Sequence, residues 1–298
     1  RSPRFARDDV VYRWIQELHG FSTSECYETP GNVYLEQEAT IRLGFFLGTL
    51  LVLALLEGAA PRRALTVPKA ARWATNLGIV TLDTLVVRFL FPILPVGFAL
   101  LCSREGWGLL NAYPVPHGAA VFIGVVLFDL FIYVQHVLFH HLPALWRLHM
   151  IHHADLDFDL TTGIRFHPLE IVLSMGIKLG LVYLFGPPAV SVILFEIILN
   201  ATAMFSHSNL RLPPGIDGAL RLLVVTPDMH RVHHSVVIRE RNSNFGFNLS
   251  VWDRLFGTYR PQPERGHEGM TIGLANFRDP SRLGLLQLLI LPFTHRHP

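Results

Sequence analysis

Residues 119–153 read AAVFIGVVLFDLFIYVQHVLFHHLPALWRLHMIHH, an apolar run that turns into histidines. Between positions 119 and 139 its one formally charged residue is Asp129. A run of that length suits a helix crossing a hydrocarbon core of about 30 Å, which takes about 20 residues. His136 and His140 stand at its C-terminal end, and His149, His152 and His153 follow at once. The pattern returns at His230-x-x-His233-His234, with His207 in between. On an α-helix, residues three or four apart share a face, so each cluster can aim ring nitrogens at one point. Neutral imidazole suits iron, zinc, copper and nickel. His136, His140, His149, His152, His153, His207, His230, His233 and His234 are too many ligands for one tetrahedral ion, and two metals are the simpler account.

The composition around this stretch is that of a membrane protein: half hydrophobic, 16% charged, mean hydropathy +0.36. Apolar stretches at 41–56, 77–102 and 119–139 are expected to form three spanning helices. Residues 171–205 are divided by Pro187-Pro188 into two arms, each short for a crossing, and are expected to form a helical hairpin turning at the prolines. The run 283–291 ends before Pro292 and is too short to span; it is expected to lie in the interface or pack on the protein. The stretch before Glu38 is polar and lacks a signal-peptide pattern. The expected fold is all-α, a multi-span transmembrane helical bundle with a His-rich helical cap on the cytosolic face. Its segments are a polar 1–40, transmembrane helices in 41–128, a metal-bearing region 129–260 and a C-terminal 261–298.

Charge orients the plan, because Lys and Arg favour cytoplasmic loops. Arg62, Arg63, Lys69 and Arg72 follow the first span, whereas only Arg104 separates the second from the third, which puts the histidines inside. Arg1, Arg4, Arg7 and Arg13 run against this assignment. The absence of an organelle-retention signal favours a bacterial inner membrane. A net charge of +2 without a basic, aromatic-interleaved run gives nucleic-acid binding no support. Cys26 and Cys102 form no CxxC and suggest neither disulfide nor thiolate metal site.

Polar residues inside the apolar regions are the next candidates. Lys178 and Glu196 lie nearly equidistant from the proline turn, so antiparallel arms would pair them; a structural pair is the plainer reading of such a charge couple. Glu196, Asn200 and His207 form a stripe along one arm. Metal-bound histidine usually donates its second nitrogen to a carboxylate or carbonyl. Asp129, about 10 Å before His136 by helix rise, is a candidate for that role toward another ligand, as are Asp228 and Asp253; exposed or capping carboxylates are equally good readings. His167 is either a donor behind the ligands or a helix-entry residue. His141 points elsewhere on its helix, and His117, His267, His295 and His297 are expected to be ordinary surface residues.

Taken together, these residues resemble the sterol desaturase and fatty acid hydroxylase superfamily of membrane di-iron enzymes. The matching pieces are Asp129-x-x-x-Tyr133-x-x-His136-x-x-x-His140, His149-Met-Ile-His152-His153, Arg165-Phe-His167-Pro168-x-Glu170, His207-Ser-Asn209, Thr226-Pro-Asp-Met-His230-Arg-Val-His233-His234-Ser235, and Asn244-Phe-Gly-Phe-Asn-Leu continuing to Trp252-Asp253-Arg-Leu-Phe256-Gly257-Thr258. One departure is Ala203, where some members carry a further histidine one turn before His207; water or Asn200 would then complete that shell.

The resemblance implies two iron ions, O2 as co-substrate, and attack on an unactivated C–H bond of an acyl chain, sterol or polar lipid, ending in hydroxylation or, as the alternative, desaturation. Such chemistry consumes two electrons per turnover. With no dinucleotide fingerprint, haem-attachment motif or cysteine cluster in the chain, it implies an external ferredoxin- or cytochrome-type donor with its reductase. Arg231, Arg239, Arg241 and Arg254 are open to docking that donor, contacting lipid phosphates or simply obeying the positive-inside rule. A His-rich metal transporter is the rival of a different class, but carriers place polar ligands near the bilayer midplane, and here they sit at span ends. A zinc hydrolase would show a base such as the Glu of His-Glu-x-x-His, which is missing.

Overall fold

The computed structural model describes residues 37–294. By contacts the chain divides after Gly44. Cys26, the four N-terminal arginines, His295 and His297 lie outside the described residues. Among the described residues the regular structure is helical, and β pairing is limited to isolated bridges.

Five helical segments among the described residues are long and apolar enough to cross a membrane. The first is α1 (Glu38–Ala59). The second, expected as one span over 77–102, starts earlier and is broken: α2 runs Lys69–Leu90 and α3 runs Pro95–Glu105. The reason is Phe91-Pro92-Ile93-Leu94-Pro95, where each proline lacks an N–H and pushes its predecessor out of the helical region. Phe91 and Leu94 are accordingly extended. A short α4 (Leu109–Ala112) leads to α5 (His117–His141), the quoted span, and α6 (Pro143–His153) follows after one residue. The hairpin forms as α7 (Pro168–Phe185) and α8 (Ala189–Ser206), joined at Gly186-Pro187-Pro188, and its arms, expected to be short for a crossing, are each long and apolar enough for one.

That turn requires glycine. Gly186 has φ +56°, and a Cβ on Gly108, itself at φ +91°, would lie 2.2 Å from the Gly186 nitrogen. The hairpin turn therefore touches the segment before α5, and chain direction puts the histidine-bearing end of α5 at the opposite end of the bundle. Lys178 and Glu196 pair as expected across the arms, Nζ to Oε1 at 2.6 Å. Helix α2 packs on α7, α3 on both arms, and α5 on α8 and α6.

The remaining elements cap the histidine end: α9 (Pro214–Leu220), α10 (Pro227–His233), α11 (Ile238–Arg241), α12 (Val251–Leu255), α13 (Gly266–Gly269) and α14 (Leu285–Thr294). The short apolar α14 packs on the protein, its Leu288 and Leu291 joining Ile79 of α2 and Trp146, Met150 and Ile151 of α6 in one buried cluster. This clamps α6, the helix that carries three of the nine histidines.

Candidate metal centre

The nine histidines collect into two groups, each with its candidate ligand nitrogens within 4.8 Å of one another. His136, His140, His149, His153 and His233 form one; His152, His207, His230 and His234 form the other. Helical geometry explains the division. Positions i and i+4 differ by about 40° around the axis and i+3 falls on the other side, about 100° away from i+4. Thus His149 and His153 of α6 go together while His152 turns to the second group, and His230 and His234 go together while His233 turns to the first. Each His-x-x-His-His motif bridges both groups. His136 and His140, also i and i+4, complete the five.

Most rings are fixed from behind. The Nδ1 atoms of His136 and His233 donate to the carbonyls of Phe245 and Ser243, each at 2.7 Å. Those of His152 and His207 donate to the carbonyls of Arg165, at 3.2 Å, and Ala203, at 2.7 Å. His149 Nδ1 instead meets the carboxylate of Glu170 at 2.8 Å. These bonds leave each Nε2 as a lone pair. Yet Nε2 of His136 faces that of His149 at 3.2 Å and that of His233 at 3.1 Å, and Nε2 of His152 faces that of His207 at 3.1 Å. Acceptor against acceptor at this range repels unless a cation lies between.

The donor set therefore fits metal ions, and its details argue against a structural zinc site. A tetrahedral ion with bonds of about 2.1 Å would set neighbouring nitrogens about 3.4 Å apart, wider than these pairs, and five donors exceed its four positions. Both nitrogens of His234 are buried without a hydrogen-bond partner, which is costly in a protein interior unless a metal satisfies one of them. Burial also keeps the rings neutral, as ligation requires: the imidazoles of His149 and His207 are each pushed down to about 3, and those of His152, His153, His230, His233 and His234 well below the usual histidine range.

The residues expected to back the ligands do other work. Asp129 accepts from the Leu249 N–H and the Trp252 indole, because its place two turns before His136 leaves it below the ring cluster. Asn200 donates to the Glu196 carbonyl on its own helix, away from the second group. His167 caps α7, accepting from the Leu169 N–H, and its other nitrogen meets the Leu289 carbonyl: it is a helix-entry residue. Asp228 binds Arg62 and Arg231, facing out from α10. Asp253 acts at one remove, gripping the N–H groups of Phe245 and Gly246, and so holding the carbonyl that orients His136. His267, expected at the surface, is buried 3.6 Å from Asp228. Among the arginines, Arg231 and Arg241 are buried, Arg241 lying over the Trp146 ring, and neither is free to dock a donor.

Three supports were given no role in the sequence reading, although Glu170 and Asn244 stood in its quoted motifs. Glu170 sits in the first turn of α7 and reaches His149 across the fold. Asn244 adopts φ +53°, a conformation Asn tolerates, so that the carbonyls on either side of it, of Ser243 and Phe245, serve two ligands of the same group. Its side chain holds the bend by donating to the Met229 and Arg260 carbonyls. The third is the run of alternating aspartates after His153. Asp155 and Asp159 grip Arg72 of α2 at 2.6–2.8 Å, and Asp157 accepts from the Thr66 and Val67 N–H groups. Burial alone would raise the Asp155 carboxyl, but the charges of Arg72 and Arg165 outweigh it and hold it well below the usual carboxylate range. The alternation Asp-x-Asp-x-Asp was the available signal.

Comparison with known proteins finds partial matches. The family model for fatty acid hydroxylase matches residues 121–258. An ornithine lipid hydroxylase of Rhizobium tropici is 31% identical over 184 residues, 61% of this chain and 52% of that protein. Alkylglycerol monooxygenases of Homo sapiens and Xenopus tropicalis are 30% and 31% identical, over 53% and 52% of this chain and 34% and 33% of theirs. The chain thus spans about half the length of the first relative and a third of the other two. No solved structure matches significantly.

Proposed function

We propose, from the match of residues 121–258 to the fatty acid hydroxylase family model, that this multi-pass membrane protein belongs to that family and is a lipid monooxygenase with two iron ions, O2 as co-substrate and a lipid C–H bond as target. The observation that carries the reading is the pair of buried histidine groups with facing lone pairs at the end of a span. His136, His140, His149, His153 and His233 would hold one ion and His152, His207, His230 and His234 the other. When bound, the irons supply the oxidising power that activates O2, which no side chain can.

The chain's own contribution is positional. Burial holds the imidazoles neutral, and the carbonyls of residues 165, 203, 243 and 245 fix their tautomers. The cap excludes water from both groups, whose members are at most 8% exposed. Electrons come from a separate ferredoxin- or cytochrome-type donor with its reductase. The membrane is a bacterial inner membrane with the histidine end on the cytoplasmic side, a placement supported by Arg62, Arg63, Lys69 and Arg72. The relatives act on an ornithine lipid and on alkylglycerols by name, which supports a polar lipid as substrate.

The test is lipid analysis of cells expressing the chain under 18O2. A lipid heavier by one labelled oxygen, absent with His152→Ala, is the expected product. A lipid lighter by two hydrogens would replace hydroxylation by desaturation, and an unchanged lipid profile with an active donor present would refute the oxygenase reading.

A further inference from the structure

The segments carrying α9 and α12 belong to no spanning helix, yet they form one unit. Val225 donates to the Asn248 carbonyl and Ser250 to the Leu223 carbonyl, each at 3.0 Å, and the Ser250 hydroxyl donates to the Arg221 carbonyl at 2.8 Å. The unit's outer side is apolar and exposed: Ile216 is 52% exposed, Leu222 70%, Leu223 61%, Leu255 66% and Phe256 54%. Contiguous apolar surface of this kind marks a protein partner or a membrane.

Depth decides between them. Asp129 is the middle residue of the 25-residue α5, and the Trp252 indole donates to it at 2.8 Å. Phe256 stacks on Tyr133 of the same span, centroids 5.3 Å apart, and the Tyr133 hydroxyl lies 2.9 Å from that of Thr258. Helix α5 is about 37 Å long, so a core of about 30 Å centred on it would place Tyr133 about 9 Å inside the hydrocarbon boundary. Interfacial helices settle about 5–10 Å into that boundary. The polar groups of the unit fold back on it: Arg254 donates to the Ser250 hydroxyl at 2.8 Å and covers the Tyr259 ring, and Arg221 pairs with Asp217. On α5 itself, Val134 and Leu138 beyond Tyr133 are exposed apolar residues as well.

We infer that residues 214–223 and 249–256 form an apolar ledge immersed in the bilayer leaflet beside the metal groups, its occupants being lipid acyl chains. The cap is then half-sunk rather than riding on the membrane. This holds whichever metal the histidines bind.

The test uses single-cysteine variants Leu222→Cys and Leu255→Cys, with Arg239→Cys as the exposed control, in a Cys26→Ser, Cys102→Ala background. Each is labelled with an environment-sensitive fluorophore and reconstituted in phosphatidylcholine vesicles. Quenching by nitroxides high on the acyl chain should exceed quenching by aqueous iodide several-fold at 222 and 255, with the reverse order at 239. Equal iodide quenching at all three sites overturns the inference, as does shielding from both quenchers, which would indicate a protein partner or second copy. Because substitutions can disturb the fold, the unsubstituted chain is also photolabelled with diazirine-tailed phospholipid. Adducts on peptides spanning 214–223 and 251–256 support the ledge, and adducts confined to the spanning helices refute it.

Discussion

Glu170 stands apart among the groups that orient the histidines. Four rings lean on backbone carbonyls, whereas His149 leans on a carboxylate. A carboxylate behind a ligand raises its basicity, and losing such a partner typically costs 10–100-fold in metal affinity or activity. Glu170→Gln is therefore expected to lose metal to a chelator about ten times faster or more while keeping its helical content, and an unchanged loss rate would reduce Glu170 to packing. At this scale the nine clustered histidines were legible because helical spacing is local. Glu170 stood in a quoted motif, but its role was not legible, because it meets His149 across 21 residues of chain; the backing role was sought instead at Asp129, Asn200, His167, Asp228 and Asp253, of which only Asp253 acts, at one remove.

At the scale of elements, the hairpin was readable from Pro187-Pro188 and from the symmetric placement of Lys178 and Glu196, which pair at 2.6 Å. Removing one member of a buried pair strands the other, at about 3–5 kcal/mol, whereas replacing both by apolar residues is often near neutral. Lys178→Met is thus expected to lower the unfolding midpoint in detergent markedly, and the Lys178→Met, Glu196→Leu double variant to recover most of it; equal losses in both would show that the pair does not set the register. The break at 91–94 escaped the reading because hydropathy summed over 77–102 hides two prolines among leucines and phenylalanines. Likewise the dip of the α9–α12 segments toward the bilayer has no local sequence signal: it arises from Trp252 reaching Asp129 more than a hundred residues away.

Over the whole molecule, the all-helical membrane architecture followed from composition, but what surrounds a residue did not. His267 looked like a surface histidine and is buried, with burial pushing it down to about 4 despite the opposing attraction of Asp228. Above pH 6.5 it is neutral folded or unfolded. Between about 6.5 and 4 only the unfolded chain takes up the proton, so stability falls with pH, by about 2 kcal/mol at pH 5 from this group. Thermal unfolding of the metal-free protein should therefore lose stability from pH 7 to 5 more steeply than His267→Gln does; parallel slopes would contradict the burial of this ring.

The most direct test of the account is metal content in protein purified from iron-supplemented cells, compared with His149→Ala, from the group of five, and His152→Ala, from the group of four. Two irons per chain, with occupancy falling separately in each variant, is the predicted result. One tightly held zinc that survives both substitutions, or no metal at all, would contradict it.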